Sequence, residues 1–108
     1  MRLPIALFNG TVATTNGLYS IEDIGFKEAK QLVSKHGFES AIGHQATADI
    51  LSELLQQDVQ MNRIQFKQEV GQFAVVLKLN KRPPEGIILN KEEMEKIGFS
   101  LKLMKRIK

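Results

Sequence analysis

The sequence predicts an α/β fold: a single mixed β-sheet with helices packed against it, in βαβαββαβ-like order. Three observations carry that expectation. Segments with a hydrophobic period near two alternate along the chain with segments whose period is near 3.6. The most apolar segment, FAVVLKL at 73–79, lies past mid-chain and reads as a central strand. Gly71 then joins that strand to the alternating stretch before it, as the turn of an antiparallel hairpin.

The elements follow in order. LPIALF at 3–8 is a short apolar run stopped by Asn9-Gly10, a strong turn dipeptide. TVATTNGLYS is rich in Thr, Gly and Asn and reads as a loop, with a short strand at Leu18 and Tyr19. From Ile24 the period changes: Phe26, Ala29, Leu32 and Val33 share a helical face, and Gly37 supplies the stop. FESAI at 38–42 is a strand ended by Gly43. A second helix from 44 to 57 buries Ile50, Leu51, Leu54 and Leu55. Residues 61–68 alternate, with Ile64 and Phe66 on one face and Arg63, Gln65 and Lys67 on the other, as a strand would. NKRPPEG is a stiff loop. Asn90 with Glu93 three residues on makes a capping box for a short helix ending at Gly98. Residues 99–107 close the chain as a strand with Phe99, Leu101, Leu103 and Ile107 inward.

At 108 residues the chain fits one domain spanning 1–108, and a chain of this size buries roughly 65% of its unfolded surface. It has no cysteine and two histidines, which excludes disulfides, thiolate zinc sites, iron–sulfur clusters and a cysteine nucleophile. No metal or cofactor is expected. No apolar run approaches the ~20 residues of a membrane span, and a soluble cytoplasmic protein is expected. Charge is uneven. Residues 1–54 carry four Lys/Arg against six Asp/Glu, whereas 55–108 carry eleven against six. The basic half suits an anionic ligand; lysines along an exposed edge strand would give the same count.

Two places read as chemical. SAIGHQAT at 40–47 is a strand, a glycine turn and a helix start, where free N–H groups and the helix dipole favour a phosphate. Gly43 permits close backbone approach and His44 can move a proton; alternatively His44 simply caps or packs. In Lys81-Arg82-Pro83-Pro84-Glu85-Gly86 two prolines fix the backbone that carries Arg82 and Glu85. Arginine forks onto phosphate and a nearby carboxylate orients it or moves a proton; alternatively both charges are merely solvated. Arginine, histidine and glutamate together are equipment for cleaving RNA through its own 2′-hydroxyl.

LFNGT near the start, SAIGHQATADILSELL, NRIQFKQ and RPPEG together resemble the viral anti-CRISPR ring nucleases and their bacterial relatives. The resemblance runs from about residue 7 to 107, in the same order and at similar spacing. It implies an α/β fold, a two-fold homodimer, and binding and metal-independent cleavage of cyclic tetra-adenylate, the messenger of type III CRISPR immunity. It assigns the catalytic histidine to His44, the phosphate-binding arginine to Arg82 and the active-site glutamate to Glu85. Ligand contact falls on Asn9 and Thr11 after the first strand, on Ser40 and Gly43 in the glycine turn, and on Arg63.

A four-phosphate ring suits the basic half and a two-fold axis. The few aromatics, one Tyr and six Phe, fall mostly at core positions, which leaves no stacking platform for extended RNA. The alternative from another class is a non-catalytic protein that sequesters a nucleotide or a protein. Sequence-specific DNA binding is not expected, because HQATADILSELLQQD carries no Lys or Arg for a recognition helix.

Overall fold

Eight elements form in chain order: β1 (Arg2–Phe8), β2 (Tyr19–Ile24), α1 (Phe26–His36), β3 (Phe38–Ser40), α2 (Gln45–Leu55), β4 (Gln72–Leu79), α3 (Lys91–Ile97) and β5 (Phe99–Arg106). The computed structural model describes residues 2–8, 16–64, 66–80 and 90–108. The strands make one mixed sheet in the order β2-β5-β4-β1-β3. β1 runs parallel to both β3 and β4, whereas β5 lies antiparallel between β4 and β2.

β4 takes the middle position, as its apolar run predicts. Alternate residues feed two separate clusters. Val75 and Leu77 join Ile5 and Leu7 of β1 and Leu101 of β5 beneath Ala29 and Val33 of α1, Ala48, Ile50, Leu51 and Leu55 of α2, and Met94 of α3. All three helices therefore cover one face of the sheet. On the other face Ala74 and Val76 meet Ala6, Phe8 and Met104, with Tyr19, Ala41 and Phe66 packed alongside. Positions 74–77 are buried on both faces, which is why AVVL is apolar throughout and a charge enters only at the exposed Lys78.

The sequence expectation differs from the structure most in two strands, and the expected strand at 38–42 ends at Ser40. Residues 61–64 and 66–68 form no strand, and the predicted hairpin into β4 is absent. The alternation there has another cause: the stretch starts beside the 40–42 extension of β3 and, from Phe66 on, crosses the open face of the sheet. Phe66 turns down onto Phe8, edge to face at 5.4 Å, while Lys67 stays outside. Gln68 is buried, and its amide donates to the carbonyls of Gln72 (2.6 Å) and Met104 (3.0 Å). Side-chain bonds to backbone thus replace a strand ladder. Gly71 does sit in a tight turn before β4, at φ +83°, with its N–H donating to Arg106.

Conversely β2 is longer than Leu18 and Tyr19, and Ile24 ends it where a helical period was expected to begin. YSIEDI is mostly exposed and owes its conformation to β5, with which it pairs from Tyr19↔Arg106 to Ile24↔Leu101. Lys102 donates to Asp23 across that ladder. This bond and its charge, with the Lys78 charge adding less, hold the Asp23 carboxyl below its ordinary value. The stabilisation is present at neutral pH and is lost as pH falls through that lowered value. Smaller differences concern side chains. Ile107 lies beyond β5 and is 46% exposed, not inward, and Phe26 sits at the rim against Phe99.

The predicted capping box is present. Asn90 Oδ1 accepts from the Glu93 N–H at 2.9 Å, and Glu93 Oε1 accepts from the Asn90 N–H at 3.2 Å. Asn90→Ala removes the side-chain half, so unfolding free energy should fall by about 1 kcal/mol. Urea denaturation checks this as a lower midpoint at unchanged slope.

Candidate functional site

β1, β3 and β4 run parallel, so their C-terminal ends share one border of the sheet. In open α/β sheets ligands bind at that border. The chain leaves β1 at Phe8, β3 at Ser40 and β4 at Leu79. Each exit precedes one of the predicted motifs.

The 40–44 turn is built from three contacts. Ala41 donates its N–H to Leu7 of β1 at 3.0 Å, continuing the ladder one step past β3. Ile42 is fully buried and anchors the turn in the core. Ser40 Oγ donates to the Gln60 carbonyl at 2.7 Å and accepts the Ile42 N–H at 3.3 Å, so this hydroxyl shapes the turn. His44 then takes the N-cap position of α2, extended at φ −133° and ψ 131°, and its carbonyl accepts from Ala48 at 3.1 Å. Its imidazole is exposed and makes no capping bond. The first turn of α2 also holds no acidic residue, so among the described residues neither a His44 side-chain cap nor a first-turn carboxylate offsets the positive end of this dipole.

The chain returns to this turn after α2. The helix ends at Leu55 with Gln56 left-handed, and Ser52 Oγ accepts the Val59 N–H at 3.0 Å to fold the exit back. Residues 60–62 then run beside 40–42. Asn62 bonds twice, its N–H to the Ile42 carbonyl and its Nδ2 to the Ser40 carbonyl, both at 2.8 Å. Next along, Arg63 lies against Gly43. A Cβ built on Gly43 would stand 3.5 Å from Arg63 Cγ and 3.6 Å from its Nε. Arg63 was expected on the polar face of a strand; it instead reaches the turn from this irregular segment.

Ser40, Gly43, His44 and Arg63 are therefore brought together at one end of the sheet. Asn9, Thr11, Arg82 and Glu85 lie outside the described residues. Asn62 was not singled out from the sequence. Its one signal was that asparagine is depleted in strands, an inconsistency inside the supposed 61–68 strand. Among the described residues no three His, Asp or Glu side chains gather as metal ligands, and no helix is long and apolar enough to cross a membrane.

Fold and site together define a small α/β protein with a glycine turn and a helix start at the C-terminal ends of parallel strands. Residues 5–101 match the family described as STIV B116-like, and the chain belongs to that family. It is 33% identical over 107 residues to the uncharacterized protein YddF of Bacillus subtilis (strain 168), covering 97% of this chain and 99% of that protein. It is 40% identical over 92 residues to the uncharacterized protein ORF117 of Acidianus two-tailed virus, covering 82% and 79%. Among solved structures, B116 of Sulfolobus turreted icosahedral virus superposes with a TM-score of 0.68 at 20% identity, over 94% of this chain and 98% of that one. At that identity the likeness is one of fold.

Proposed function

We propose that the chain is a metal-independent phosphodiesterase that opens cyclic tetra-adenylate and so antagonises type III CRISPR signalling. The observation that supports it most is the meeting of His44, Gly43 and Arg63 at the uncapped start of α2. The resemblance of the motifs to ring nucleases adds to it.

In this reaction a ribose 2′-oxygen attacks the adjacent phosphorus as its proton departs. The P–O5′ bond breaks, leaving a 2′,3′-cyclic phosphate and a 5′-hydroxyl. His44 protonates the leaving 5′-oxygen, Arg82 neutralises the phosphorane, and Glu85 orients the 2′-hydroxyl or takes its proton. Arg63, Asn9 and Thr11 contact the ring, and Ser40 keeps the turn in shape beneath Gly43. Two copies, with the axis between their 40–44 turns, present matching surfaces to the ring's two halves.

The test is incubation with radiolabelled cyclic tetra-adenylate in EDTA, with the products resolved and the mass in solution measured alongside. Linear products with a cyclic phosphate terminus, from a species of twice the chain mass, are the expected result. A protein that neither binds nor cuts the ring overturns the proposal.

Binding without cutting establishes the sequestering alternative instead. One observation favours that alternative: nothing among the described residues hydrogen-bonds the His44 imidazole to fix its tautomer.

Gly43 offers a separate check. Alanine there makes only ordinary contacts with Arg63, so the folded state accepts it. Ring affinity should nevertheless fall about tenfold or more, a loss of roughly 1.4 kcal/mol, because the added methyl stands where a phosphate approaches the backbone. Calorimetric titration against the wild type measures this, and equal affinities would place the ring elsewhere.

A further inference from the structure

Arg63 is exposed and follows an irregular segment, yet its side chain comes so near Gly43 that a Cβ added there would meet its Cγ at 3.5 Å. Long exposed arginines do not hold one place without help, because fixing the side chain costs rotamer entropy. The help is one residue back. Asn62 donates its backbone N–H to Ile42 and its side-chain amide to Ser40, gripping alternate carbonyls on the outer side of β3 and its extension. Ser40 Oγ completes the clip by donating to Gln60.

We infer that Asn62 is a positioning residue: its amide fixes the 60–62 segment to the edge of the 40–44 turn and thereby sets the Arg63 guanidinium over Gly43. The functional part of this assignment rests on the ring-cleaving site proposed above. Asn62 itself touches no ligand and acts through Arg63. Asparagine suits the task because one short side chain carries a donor that extends the backbone's own pairing by one bond. Aspartate has the same shape but no donor, and would set a carboxylate oxygen against the Ser40 carbonyl.

Two readouts test the assignment, one without ligand. In the wild-type protein a nuclear Overhauser contact is expected between the Gly43 α-protons and the Arg63 γ-protons. Asn62→Ala and Asn62→Asp should both lose it while keeping the core amide signals. Persistence of that contact in both variants overturns the assignment, whatever the protein does to the ring.

The second readout is a double-mutant cycle on affinity for cyclic tetra-adenylate. Arg63→Ala and Asn62→Ala should each weaken binding about tenfold, and the double variant should be no weaker than Arg63→Ala alone. Additive losses would mean that Asn62 acts independently of Arg63 and overturn the assignment. Loss of the Gly43–Arg63 contact in a protein that never binds the ring leaves Asn62 as the residue that places Arg63, and removes only the ring-cleaving proposal.

Discussion

His44→Ala should lower the single-turnover rate of cyclic tetra-adenylate cleavage by about 10²–10⁴-fold while leaving ring affinity nearly unchanged. The imidazole is exposed at the N-cap of α2 and makes no capping bond, so its removal opens no cavity and breaks no cap. The loss is then one of proton transfer to the departing 5′-oxygen. His36 is the internal control. It ends α1 on the far side of β3 from the turn, in a last turn that also holds Lys35, where positive charge is favourable to the helix dipole. His36→Ala should cleave at the wild-type rate. Quenched-flow measurement with excess enzyme separates the outcomes. Equal losses in the two variants would point to folding, and full activity in His44→Ala would remove the proposed acid.

Leu51→Ala should lower unfolding free energy by about 2–5 kcal/mol, a shift in melting temperature of roughly 10–20 °C. Leu51 is fully buried in the cluster that α2 forms with β1, β4 and β5, where rigid strands cannot collapse into the space a shorter side chain leaves. Leu54, on the same helix, is only partly buried, and its replacement by alanine should cost clearly less. Urea denaturation of the two variants compares them directly. Parity between them would mean that α2 does not pack on the sheet as described.

Features fixed by local chemistry were legible in the sequence. The Asn90 and Glu93 box needs only three residues of spacing, and FAVVLKL announces its central place because both its faces must be apolar. The two strand differences have opposite causes. An extended chain has a period of two whether it lies beside a sheet or across its face, so 61–68 carried a strand's pattern without a strand's partners. β2 shows the reverse. Glu22 and Asp23 are poor strand formers, and only pairing with β5, some eighty positions away, makes YSIEDI extended. At the site, SAIGH was legible as a turn before a helix, because glycine and the apolar period mark both. That Arg63 faces Gly43 depends on Asn62 crossing to a strand twenty-two positions back, which no local pattern encodes.

The β2–β5 pairing also bears on how the chain assembles. Tyr19 finds its place opposite Arg106, and Asp23 opposite Lys102, so an early strand waits for the last one. During synthesis β1, β3 and β4, with α1 and α2 over them, can come together while β2 has no strand to pair with. Only when β5 is available do the open flank of β4 and the waiting β2 close in the same step. Non-local pairing of this kind is slow to find, on the scale of milliseconds to seconds. Until it does, β2 carries its exposed Ile21 and unpaired backbone next to the charges of Glu22 and Asp23. Those two carboxylates, unhelpful for forming a strand, would then repel the same segment of a second unfinished chain.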